Sequence, residues 1–214
     1  MRVVCLSDTH NCNEQIAVPD GDLLIHSGDA TSTGTVGEIA RFNTWFAALP
    51  HKTKIFVAGN HDWLFERDGQ TARGLLDESI VYLQDSSVEI EGLKIYGSPW
   101  QPRFYDWAFN LNRGHEMAAK WELIPDDTNI LITHGPPNGI LDAVPRVWGD
   151  ELTGCEELRQ KVNGISGRGD LKLHVFGHIH CGYGKLELDG VTFVNASTCD
   201  EAYDPTQMPI VVDI

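Results

Sequence analysis

The chain has 214 residues, enough for one domain with a well-buried core, and its 42% hydrophobic content is that of a globular rather than a disordered protein. Its 31 carboxylates against 16 Lys and Arg give a net charge of −15, which excludes the broad basic footprint of a nucleic-acid-binding surface. No apolar run approaches the roughly 20 residues that span a bilayer, and five cysteines without a CxxC pair argue against a disulfide framework and for a reducing compartment, so the chain reads as a soluble cytoplasmic protein.

The opening "MRVVCLSDTH" is too short an apolar run for a signal peptide and predicts a buried strand over 2–6. "DLLIHSGD" (22–29) is a second short apolar run, ending in Ser-Gly-Asp. Val36, Ile39, Phe42, Trp45, Phe46 and Leu49 recur at helical spacing until Pro50 stops them. "KTKIFVAGNHD" predicts a strand running into Gly-Asn-His-Asp, followed by helix and then by "SIVYLQ" (79–84). "SVEIEGLKIYGSP" alternates around Glu-Gly as a β-hairpin does. "RGHEMAAKWELI" reads as a helix, "NILITHGPP" as a strand, and "GCEELRQKVNG" as a short helix closed by glycine, with "NGISGRG" a mobile connection. "LKLHVFGHIH" is the next strand, "GKLELDGVTFVNAST" a hairpin around Asp-Gly, and "MPIVVDI" a last strand. No repeat, low-complexity tract or linker divides this series, which predicts a single α/β domain over 1–214.

Five of the predicted strands end alike. Their turns carry Asp8 and His10, then Asp29, then Asn60, His61 and Asp62, then His134, then His178 and His180, nearly always with a glycine alongside. Ligands gather at the carboxyl ends of strands in α/β sheets, and glycine lets a ligand approach the backbone closely. Any one of these turns alone is ordinary. Five ordered ends delivering Asp, Asn and His mark a site. The donors are carboxylate, amide and imidazole with no required thiolate, a set that suits Mn²⁺, Fe or Zn²⁺ better than Ca²⁺ or Cu⁺. Seven ligands (Asp8, His10, Asp29, Asn60, His134, His178 and His180) exceed the needs of one ion and fit two sharing a carboxylate, the arrangement in which ions about 3.5–4 Å apart clamp a phosphoryl group. His178 and His180, taken as two positions of one strand, should point to the same face. His26 and His174 fall within strands and read as core or supporting groups. The aromatic run "PWQPRFYDWAFN" is equally a loop anchored by packing or a wall on which a substrate ring stacks.

These blocks, in this order, resemble the signature of the calcineurin-like metallophosphoesterase superfamily. "GSPWQP", "WAFN", "ITHGPP" and "VFGHIHCGYG" are similar to its metallophosphoesterase-domain-containing branch, whose members act on phosphodiesters, cyclic nucleotides among them. The resemblance implies a four-layer α-β-β-α sandwich of two mixed β-sheets flanked by helices. It implies that Asp8, His10 and His180 hold a first metal, that Asn60, His134 and His178 hold a second, and that Asp29 bridges them. His61 is then no ligand but faces the leaving group, with Asp62 behind it orienting the ring. Two divalent transition-metal ions, manganese foremost, and a small phosphodiester are the expected cofactors and partner, with in-line attack by a metal-bridging hydroxide. Ser/Thr protein phosphatases carry an Arg before Gly-Asn-His; here Ala58 stands there, which weighs against a phosphoprotein substrate. A phosphomonoesterase or nucleotide pyrophosphatase on the same fold, and a non-catalytic scaffold, are the competing readings.

Overall fold

The computed structural model describes residues 1–214. In chain order the elements are β1 (Arg2–Leu6), β2 (Leu23–His26), α1 (Val36–Ala48), β3 (Thr53–Phe56), α2 (Trp63–Arg67), α3 (Gly69–Gly74) and β4 (Ile80–Tyr82). There follow β5 (Ser86–Ile90), β6 (Leu93–Ser98), β7 (Gln101–Pro102), β8 (Asn110–Leu111), α4 (His115–Trp121), β9 (Ile130–Thr133), β10 (Ala143–Val144), β11 (Glu151–Leu152) and α5 (Glu156–Ser166). The chain closes with β12 (Leu173–Phe176), β13 (Gly184–Leu188), β14 (Val191–Asn195) and β15 (Ile210–Asp213).

Alternation along the strands builds the layers. Val3 and Cys5 of β1 face one way and Val4 and Leu6 the other, and all four are fully buried. A strand apolar on both faces belongs to a sheet covered on both sides. The first large sheet has the order β15-β1-β2-β3-β4, parallel except for β15; the second has the order β13-β14-β12-β9-β6-β5, parallel except for its edges β13 and β5. Val3, Cys5, Ile25 and Ile55 of the first meet Ile95, Ile132, Val175 and Val194 of the second in the central core. On the outer face of the first sheet, Val4, Leu24 and Phe56 pack against Ile39, Phe42 and Phe46 of α1 and Phe65 of α2. On the outer face of the second, Tyr96, Leu131 and Phe193 pack against Trp121 of α4 and Leu158 and Val162 of α5. The three cores define the four layers α-β-β-α, the mixed-sheet sandwich expected.

Two local readings change. Helix α5 continues through Gly164 to Ser166, so most of "NGISGRG" is not a connection. Its buried Val162 and Ile165 keep the core-facing stripe intact across the glycine, and tertiary burial overrides the weak propensity of Gly164. Strand β12 stops at Phe176, so His178 and His180 lie beyond it rather than on it. The two sheets join where their polar strand ends meet, at the bridge Ser7–Ser197.

Candidate metal centre

All five strand ends converge on that seam. Asp8 and His10 follow β1, Asp29 follows β2, Asn60 and His61 follow β3, His134 follows β9, and His178 and His180 follow β12. The turns are tight enough to put Asp8, His10, Asp29 and His178 in the left-handed region, with φ of 52°, 41°, 54° and 69°. Non-glycine residues hold that conformation only where the surroundings over-determine it, and such strain concentrates at functional sites. Two glycines are there for space. A Cβ on Gly59 would collide with the Asp29 carboxylate, and one on Gly177 with that of Asp8.

The side chains form two neighbouring groups, overlapped by a third made of His10, Asp29 and His61. Asp8, His10 and His180 make one, and Asp29, His134 and His178 the other, the donor atoms of each lying within 4.8 Å of one another. In the first, Asp8 Oδ1 is 3.4 Å from His180 Nε2 and 3.9 Å from His10 Nε2, and the two imidazole nitrogens are 3.4 Å apart. In the second, Asp29 Oδ2 is 3.4 Å from His134 Nε2, which is 2.9 Å from Asn60 Oδ1. Asp29 Oδ2 also lies 3.8 Å from His10 Nε2, so Asp29 stands between the groups. Past the end of β12, the chain turns at His178 and enters a 3-10 turn at His180, which sends the two rings into different groups. Their separation comes from this turn, not from strand alternation.

Main-chain carbonyls fix the imidazoles. Asp200 O receives His180 Nδ1 at 2.8 Å, and Ser27 O receives His134 Nδ1 at 3.0 Å. With Nδ1 donating, each neutral ring turns the Nε2 lone pair toward a carboxylate oxygen. Lone pair facing lone pair is repulsive unless a cation or a proton stands between them, and an outer carbonyl on a ligating imidazole is the usual support of a metal site. The donor set therefore fits divalent metal. The other carboxylate oxygens are held by the protein: Asp8 Oδ2 accepts from Ser197 Oγ at 2.9 Å and His178 N at 3.0 Å, and Asp29 Oδ1 from His61 N at 2.8 Å.

Without metal, protons fill that role. Burial alone would lower both histidines, but Asp29 beside His134 and Asp8 beside His180 outweigh it, and each is pushed up to about 9. The metal-free site thus carries protonated His134 and His180 at neutral pH, and a metal ion must displace them. Metal affinity should rise with pH up to about 9, and titration with Mn²⁺ or Zn²⁺ near pH 7.5 should release protons. Calorimetry in buffers of differing ionisation enthalpy reads that release, and binding with no proton release would contradict it.

His61 lies beside the two groups. Its Nδ1 is 2.7 Å from Ser32 O and its Nε2 3.9 Å from Asp29 Oδ2, while Trp107 packs on its ring at 4.1 Å between centroids. The expectation that Asp62 orients this ring is corrected. Asp62, fully buried, accepts from Gly59 N at 2.8 Å, Ala30 N at 3.3 Å, and Thr31 N and Oγ1 at 3.0 and 2.7 Å. It ties the loop after β2 to the loop after β3, and the carbonyl of Ser32 holds His61. Asp62→Ala would strand three buried amides. At ~1–3 kcal/mol for each unsatisfied buried donor, a loss of about 3 kcal/mol or more is expected, which thermal unfolding should read as a fall of roughly 6–12 °C for a chain of this size. An unchanged melting temperature would remove this role.

Other contributors were not apparent from the motifs. Asn195 ends β14 and Ser197 follows it, a sixth strand end of the same kind in "FVNASTCD", which periodicity could have flagged. Tyr203 sets its ring edge-on to His10 at 4.7 Å and His180 at 5.4 Å, and carries no motif. The aromatic loop is anchored by packing at Phe109, buried against Trp100, and its Trp107 packs on His61.

The family model described as calcineurin-like phosphoesterase matches residues 1–182, which include every residue of both groups. The chain belongs to that family. Metallophosphoesterase domain-containing protein 1 of Homo sapiens is 44% identical over 236 aligned positions, covering 100% of this chain and 71% of that protein. UPF0046 protein C25E10.12 of Caenorhabditis elegans is 40% identical, covering 100% of this chain and 81% of that one. Membership of the calcineurin-like phosphoesterases places the chain among metal-dependent phosphoester hydrolases, and its His/Asp clusters have the donors to hold divalent metal. No helix is long and apolar enough to cross a membrane.

Proposed function

We propose that the protein is a dinuclear-metal phosphodiesterase for small diesters, cyclic nucleotides among the candidates, formed by one domain spanning 1–214. Asp8, His10 and His180 hold one ion, Asn60, His134 and His178 the other, and Asp29 is common to both. Manganese is the first choice, with iron or zinc as alternatives, since the donors are oxygen and imidazole. When bound, such a pair supplies a nucleophile at neutral pH and neutralises charge on the phosphoryl oxygens. The chain's own residues do the rest. Ser27 and Asp200 carbonyls aim His134 and His180, Ser197 and the His178 amide hold Asp8 in place, and His61 Nε2, its other nitrogen anchored on Ser32, presents a proton to the departing alkoxide.

The observation that carries the diester reading is a cleft of about 450 Å³ opening directly beside His178 and His180. A diester keeps a second substituent on phosphorus after the first departs, and the cleft gives it a place. Ala58 is fully buried and offers no guanidinium for the extra charge of a monoester. The test is hydrolysis of bis-p-nitrophenyl phosphate against p-nitrophenyl phosphate by metal-stripped protein reloaded with Mn²⁺, Zn²⁺ or Mg²⁺. Metal-dependent preference for the diester is expected. A monoester preference would favour a phosphatase, and absence of turnover from protein holding two ions would favour a scaffold.

A further inference from the structure

The cleft beside the metal centre is walled by three segments that the metal ligands do not use. Phe104 comes from the β7–β8 loop, Val144 and Leu152 from the β10–β11 hairpin, and Tyr203 from the segment after β14. His178 and His180 form its floor, while neither His61 nor Trp107 lines it. The cleft thus gives room beside the metal groups for an equatorial substituent that stays on phosphorus while the leaving group faces His61.

The three segments carry most of the exposed large apolar side chains. Of the ten large apolar side chains left exposed, six (Phe104, Tyr105, Val147, Trp148, Leu152 and Tyr203) sit on these three segments, and they include all four exposed aromatics. Exposed apolar side chains gathered in one place mark a ligand groove or an interface. Here the aromatic loop is held ready. Phe104 and Tyr105 pack on each other at 4.4 Å, and the Asn110 amide donates to both their carbonyls at 3.3 and 3.2 Å. Phe109 N, at the loop's far end, donates to Glu66 Oε1 at 2.8 Å. Tyr105, 76% exposed, is fixed in the left-handed region with φ of 50°, so an exposed ring is maintained at a conformational cost.

The cleft's cations are engaged in bracing it. Arg113 donates to the carbonyls of Thr153 and Gly154 at 2.9 Å, Arg146 pairs with Glu151 at 2.8 Å, and Arg103 Nε donates to Asn112 Oδ1 at 3.2 Å. Arg103 and Arg113 keep their charge while bracing the walls, and the exposed rings beside them add a surface on which a planar aromatic group can stack.

Resting on the phosphodiesterase reading, we infer that this cleft is a subsite for an aromatic substituent retained on phosphorus, with Phe104 as its stacking wall. The enzyme then selects diesters by the ester group it does not expel. The test holds the leaving group constant. Methyl p-nitrophenyl phosphate and phenyl p-nitrophenyl phosphate both release p-nitrophenol and differ only in the retained group. Intrinsic reactivity cancels when their ratio of kcat/KM is compared between the natural chain and Phe104→Ala, an exposed position whose truncation leaves the core untouched. The phenyl-to-methyl ratio should fall about tenfold in the variant. A ratio unchanged by Phe104→Ala would overturn the subsite while turnover of the methyl ester upheld the diesterase. No turnover of either ester by metal-loaded protein would overturn the diesterase reading and the subsite with it.

Discussion

Asp29→Asn should leave the fold standing, lose tight binding of at least one metal ion and lower turnover about a thousandfold or more, the equivalent of roughly 4 kcal/mol of transition-state stabilisation. The substitution is chosen because it separates charge from shape. An amide oxygen in the place of Oδ1 still accepts from His61 N, which Asp29 now does at 2.8 Å. What disappears is the negative charge common to His134 at 3.4 Å and His10 at 3.8 Å, one in each ligand group. Metal content after dialysis and kcat on a diester read the two losses. A third readout needs no metal. Burial lowers His134, and Asp29 is the largest influence raising it to about 9. In metal-free Asp29→Asn the imidazole should therefore titrate markedly lower, which NMR would detect. A variant that binds two ions and turns over normally would show that Asp29 is not shared.

The seven candidate donors were legible as a converging set because each sits within a few residues of its strand, so that a local pattern of apolar run, glycine and donor survives in one dimension. The four layers came from the family resemblance; the residues by themselves showed a buried strand, since Val3, Val4, Cys5 and Leu6 are all apolar, which a strand exposed on one face would not be. What was not legible is contributed by main chain or by distant loops. Any residue type can offer the carbonyls that Ser27, Ser32 and Asp200 present to imidazoles. Tyr203 reaches His10 only because β14 returns to the seam, and nothing in "DEAYD" announces it. Asp62 was misread through adjacency. It sits at the N-terminal boundary of α2, and there the chain turns its carboxylate back into the loops while its neighbour His61 faces the metal groups. The glycine-closed helix failed because Gly164 is a weak breaker once Val162 and Ile165 are buried on either side of it.

His61→Ala should keep both metals and lose activity selectively, by about 10²–10⁴-fold on diesters with alkyl or nucleoside leaving groups and far less on p-nitrophenyl esters. A poor leaving group departs as an alkoxide and needs a proton as the bond breaks, whereas p-nitrophenolate leaves as a stabilised anion. The ring is arranged to supply that proton. Nδ1 is committed to Ser32 O at 2.7 Å, and Trp107 covers one face at 4.1 Å, so Nε2 is the only nitrogen turned to the site. The competing role is that of a ligand, because His61, His10 and Asp29 form a third cluster whose donor atoms lie within 4.8 Å of one another. Metal content distinguishes the two. Loss of an ion on His61→Ala, with equal falls on both classes of leaving group, would make it a ligand. Retained metal with a steeper dependence of rate on leaving-group basicity would make it the general acid.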